Sequence, residues 1–99
     1  MKLLKNDFNL ANVASDSVCI RWSVNTLLAK GIQGLEFAIS PAKVPTKWSF
    51  MQVGVRQGSL TVRSLNAFSK YRLIVRKEGK NATDVDLDYF TTWPTGNDN

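Results

Sequence analysis

Three aspartates alternate in the stretch DVDLDYF: Asp84, Asp86 and Asp88. On an extended strand alternate residues share a face, so their carboxylates would project together. Clustered acidic oxygens are what a calcium ion takes, but it takes about six to eight of them, arranged as a looped cage rather than along a straight strand. Arg72 and Arg76 alternate in the same way on a nearby run, YRLIVRK. If the two runs pair, the opposite charges meet across strands and stabilise by a few tenths to about 1 kcal/mol. Cross-strand ion pairing is therefore the expectation, with no metal and no other cofactor. The chain has no histidine and a single cysteine, Cys19, with no basic partner suggested by its neighbours. Gly31, Gly34, Gly54 and Gly58 sit at turns or strand ends rather than in a phosphate-cradling loop. An enzyme is not expected.

Two further groups could carry function. Arg72, Arg76, Lys77 and Lys80 cluster on one strand and the loop after it, and could form a patch for heparan sulfate or another acidic surface. The competing expectation is a solvated face partly neutralised by the three aspartates. Nucleic acid is not expected, because no aromatic platform interleaves with the basic residues. Asn81-Ala82-Thr83 is an acceptor sequence for N-glycosylation, although about one such match arises by chance in a chain of this composition.

The chain has 99 residues, the length of a single domain, with 43% hydrophobic residues, 21% charged residues and a formal net charge of +5. The basic residues are spread along the chain, as on a solvated surface. No run of apolar residues is long enough to cross a membrane as a helix, so direct insertion is not expected. Met1-Lys-Leu-Leu-Lys is too short and too charged for a signal peptide, so a secreted parent would carry its signal elsewhere. One cysteine cannot form a disulfide within the domain.

The elements that must position these groups follow a period of two. Val18, Ile20, Trp22 and Val24 share one face of SVCIRWSV, and Leu35, Phe37 and Ile39 one face of LEFAIS. Leu60 and Val62 alternate in the next run, then Tyr71, Leu73 and Val75, then Val85, Leu87 and Tyr89. Turn signals separate the runs. The expected strands lie near 8–14, 17–24, 34–40, 48–55, 59–64, 70–77 and 85–92. The stretch Thr26 to Lys30 is read as part of a long loop. Seven short strands with such spacing predict an all-β, antiparallel, immunoglobulin-like sandwich. Its core spans about 8–93, with residues 1–6 and 95–99 as flexible ends.

On these residues the chain resembles the fibronectin type III domain over nearly its whole length, from Phe8 to Thr92. SVCIRWSV resembles the family's second strand, which ends on a core tryptophan, here Trp22. LTVRSLNAFSKYRLIVRKEG resembles the passage between its sheets, with Leu65 and Tyr71 at the corner leucine and tyrosine. DYFTTWP resembles the closing strand. Departures are Leu35 where an aromatic is usual, Ala67 and Phe68 where the corner often holds Pro and Gly, and the missing proline before the first strand. Physically, a tyrosine at the start of the sixth strand can lay its ring on the core and return its hydroxyl to backbone upstream, pinning the arch.

The resemblance implies a non-catalytic interaction and spacer module of a larger modular protein. Its usual setting would be the extracellular region of a cell-surface receptor or adhesion protein, a glycoprotein with neighbouring domains. The contact surfaces would be the loops after the second, fourth and sixth strands and the exposed face formed by the third, sixth and seventh. The alternatives are a cytoplasmic or nuclear scaffold module, sarcomeric or chromatin-associated, and an accessory domain of a polysaccharide-degrading enzyme. Trp48 is expected as a partly buried sheet-edge residue. Trp93 is expected either to meet a neighbouring domain or to close this one.

Overall fold

The computed structural model describes residues 2–79 and 82–95. Its strands are β1 (Phe8–Val13), β2 (Val18–Trp22), β3 (Gly34–Pro41), β4 (Ser49–Gly54), β5 (Ser59–Val62), β6 (Lys70–Lys77) and β7 (Val85–Thr91). One sheet has the order β1-β2-β5 and the other β4-β3-β6-β7, every pairing antiparallel. The expected seven-stranded sandwich is the fold observed.

The inward sets behave as their alternation demands. Ile20, Leu35, Phe37, Leu73 and Val75 are fully buried, each contributing about 1.5–3 kcal/mol by leaving water. Trp22 and Phe37 join the sheets with ring centroids 5.6 Å apart, and Phe8 closes edge-on to both at 6.2 and 5.8 Å. The indole N–H of Trp22 donates to the carbonyl of Val55 at 2.8 Å, so its one polar group is satisfied inside the core. Cys19 is a free, half-buried thiol on the β2 strand, opposite Asn12 and Thr61.

Three expectations are corrected. The stretch read as loop, with Val24 as the end of a strand, is a helix, α1 (Val24–Ala29). Its six residues are short for a helix, and both ends are closed. Ser23 accepts from the N–H of Thr26 at 3.4 Å. At the other end Ile32 N–H reaches the carbonyl of Leu27 (3.1 Å) and Gly31 N–H that of Leu28 (2.9 Å), with Gly31 at φ 77. This is the two-bond glycine cap that ends helices, and Leu27 and Ile32, the positions such a cap pairs, are both buried in the core cluster.

The second correction concerns β7. Tyr89 does not point inward. The register slips between Arg72↔Tyr89 and Ile74↔Asp86, so Leu87 and Asp88 together oppose Leu73. Asp88 takes φ 80, a left-handed conformation that aspartate tolerates better than most residues. Its N–H is held by the Asp86 carboxylate at 2.8 Å. Beyond this bulge the alternation changes phase. Phe90 is buried and stacks on Tyr71 at 5.7 Å, while Tyr89 is turned out.

The third is the amino-terminal segment, expected as a flexible end. Leu3 is buried in the core cluster and Lys5–Asp7 forms a 3-10 turn. Asp7 and Lys30 make a largely buried ion pair of 2.6 Å, and Asp7 also accepts from the N–H of Leu4 at 2.8 Å. A carboxylate taken out of water needs such partners. Lys30 also sits at the C-terminal end of α1, where the helix dipole favours a cation.

Candidate protein-interaction face

The outer face of the β4-β3-β6-β7 sheet gathers Arg72, Arg76, Asp86 and Trp48 from among the residues singled out by type. Its floor is Ala38 and Ser40 of β3, both buried. Ser40 is satisfied by donating to the carbonyl of Val44 at 3.1 Å. Because Ala38 is small, the side chains on either side stand above it. Phe50 lies opposite it on β4 and Ile74 on β6. Phe50 is 59% exposed, Trp48 and Ile74 are half-buried, and the three border a groove of about 270 Å³. Tyr89, 47% exposed, stands beyond Arg72 on β7 because of the bulge. The Lys70 ammonium lies 4.7 Å from the centre of its ring.

Two ion pairs run through this face. Arg72 donates to Asp86 at 2.9 Å, which is the cross-strand pairing expected. Arg76 is corrected: its partner is Glu36 on β3, not an aspartate of β7. Both Nε and Nη2 reach Glu36 Oε1 at 2.7 Å, and Gln52 donates to Oε2 at 3.3 Å. The reason is register, since Glu36 is directly opposite Arg76.

The Arg76 and Gln52 hydrogen bonds hold the Glu36 carboxyl below its ordinary range. The Asp88 N–H and then Arg72 do the same for Asp86, and the Tyr89 N–H and then Lys5 for Asp88. Both arginines are raised by their carboxylate partners. The three aspartates do not form one acidic face, because the bulge sends Asp88 to Lys5 at 3.2 Å. Among the described residues no three acidic, Cys or His groups are placed to hold a metal.

The other sites divide cleanly. Trp22 is core. The Asn66 N–H donates to the Tyr71 hydroxyl at 2.8 Å, and half-buried Leu65 packs against the core beside it. Lys77 ends β6 and is exposed. Lys80 and Asn81 lie outside the described residues. Trp93 is 57% exposed near Phe68, which is 74% exposed, at the corner end of the sandwich.

Sequence reasoning missed Thr92 as a corner residue. It is buried, its hydroxyl donates to the carbonyl of Asn66 at 2.6 Å, and it accepts from the N–H of Ser69 at 2.9 Å. Tyr89 was also missed as a surface group, because a bulge leaves no mark in simple alternation.

No family model matches the sequence, and no curated protein matches it. Solved structures do match. The fn3 domain of human collagen α1(XX) superposes with a TM-score of 0.70 at 21% identity, over 91% of this chain and 85% of that one. A β-sandwich protein redesigned by computer gives 0.69 at 16% identity, covering 89% and 87%. The FN1–FN3 domains of chicken contactin 1 give 0.65 at 15% identity, over 88% of this chain, which spans 31% of that longer fragment. With strand order β1-β2-β5 against β4-β3-β6-β7 and a tyrosine pinning the crossover, the chain has the fibronectin type III fold.

Proposed function

We propose that this domain is a non-catalytic interaction and spacer module of a larger modular protein, in the extracellular region of a receptor or adhesion protein. Its partner is a protein, and it binds the outer face of the four-stranded sheet. The observation carrying this reading is the exposure of Phe50 and Tyr89 beside half-buried Trp48 on a rigid sheet threaded by two arginines. Aromatic residues and arginine are the types that dominate binding energy at protein interfaces. Arg72 and Arg76 are already paired, so they contribute geometry and desolvated contact more than free charge. Lys43, Lys47 and Lys70 are exposed and favour a partner with an acidic rim. The extracellular setting draws support from similarity to a collagen and a contactin, and the Asn81–Thr83 acceptor sequence is compatible with it.

The test is to probe arrayed cell-surface and matrix ectodomains with a multimerised form of the chain. A binder is expected whose signal falls at least about tenfold, roughly 1.4 kcal/mol, with Phe50→Ala/Tyr89→Ala. Thr61→Ala on the opposite sheet should leave it unchanged. Binding indifferent to the aromatic pair would refute this face as the contact surface.

A further inference from the structure

A sandwich has four open strand edges, and each presents backbone N–H and C=O groups that can template another strand unless something blunts it. Three of the four are blunted here. The β1 strand carries a bulge between Leu10 and Asn12. The β5 strand has only four residues. The β7 strand has the Asp88 bulge and presents Asp86 and Asp88.

The β4 strand differs on every count. Its six residues, SFMQVG, include no charge and no proline. They pair with β3 in unbroken register from Gly34↔Gly54 to Ile39↔Ser49. Among the described residues nothing pairs with its other side. Its faces also suit extension: Phe50 and Gln52 lie on the outer side, and half-buried Met51 on the inner side.

We propose that β4 is a strand-acceptor edge, and that its occupant is an extended acidic segment of a partner protein. Charge selects this occupant. Lys47 and Arg56 flank β4 at its two ends, both are exposed, and neither has an ion-pair partner among the described residues. A strand of about eight residues, at roughly 3.3 Å per residue, spans the interval between them, so acidic residues near its ends meet both cations. A β-branched or aromatic residue at its centre covers Phe50 or Met51. A second copy of this chain fits less well. Antiparallel pairing of two β4 strands about a twofold axis would bring Lys47 of one copy towards Arg56 of the other, twice, between chains of net charge +5.

This inference rests on the interaction-module reading but concerns the strand edge, so the two can fail separately. The test pans a library of random decapeptides on the purified chain and synthesises the most enriched sequence. Three forms of it are compared: unmodified, N-methylated at odd positions, and N-methylated at even positions. Strand addition predicts that one methylation phase weakens binding at least about tenfold while the other is tolerated, because alternate amides face the acceptor strand. It also predicts slowed amide exchange within residues 49–54 and severalfold weaker binding to Lys47→Ala/Arg56→Ala. Failure to enrich any peptide would overturn it. So would equal tolerance of both methylation patterns, or unchanged exchange in β4. A concentration-dependent dimer with protected β4 amides would assign the edge to a second copy instead. A peptide protecting Tyr89 but not β4 would overturn the strand-acceptor edge while leaving the interaction face standing.

Discussion

Asn66 is held from two sides, and that defines the corner. Its N–H goes to the Tyr71 hydroxyl and its carbonyl receives the Thr92 hydroxyl. Both are partly buried bonds to the backbone of one residue, so losing either partner leaves a backbone group poorly satisfied. Tyr71→Phe and Thr92→Val are each expected to destabilise the domain by about 1–3 kcal/mol in urea unfolding. Because they share Asn66, the double variant should depart from additivity by at least about 0.5 kcal/mol. Strict additivity would mean that the two bonds do not act on one structure.

At the scale of elements, α1 shows how much rests on caps. A six-residue helix is too short to persist on propensity alone. Ser23→Ala should cost about 0.5–2 kcal/mol. Gly31→Ala should cost about 1–2 kcal/mol, since φ 77 penalises a Cβ even where space is open. Helical signal by circular dichroism and thermal unfolding check both.

The signs of this helix were present in the sequence as Ser23 before Val24 and Gly31 before Ile32, but a single turn and a half has no periodicity to stand out. The β2, β3 and β6 strands were legible because alternation persists over five to eight residues and the inward face of each is buried. The β7 strand was legible only to Leu87, where the bulge reverses the faces. The Leu65–Tyr71 spacing announced the corner, whereas Thr92, distant in sequence, did not. The Arg72–Asp86 pair could be foreseen from composition. The Arg76–Glu36 pair needed the register of a third strand.

Across the whole molecule, charge placement sets the response to acid. Glu36, Asp86 and Asp88 all have folded pKa values lowered from ordinary values of 4.5, 3.8 and 3.8. The unfolded chain therefore binds protons first as pH falls. The stability these groups contribute is complete above the unfolded values and is lost as pH drops through the lowered folded ones. Unfolding midpoints should be flat from neutrality to about pH 5 and decline below about pH 4. Asp86→Asn should flatten that decline while lowering the neutral-pH midpoint slightly, as suits exposed pairs. An unchanged acid slope would show that Asp86 is not among the groups responsible.

The outer face itself exists because sheet order, a small residue at Ala38 and a bulge at Asp88 together leave Phe50 and Tyr89 in solvent. Hydroxyl-radical footprinting of the free domain and of its partner complex tests this most directly. In the free domain Phe50, Tyr89, Phe68 and Trp93 should be oxidised, while Phe37 and Phe90 stay protected. In the complex Phe50 and Tyr89 should become protected and Phe68 and Trp93 remain reactive. Protection of Phe68 and Trp93, with Phe50 and Tyr89 still oxidised, would contradict it.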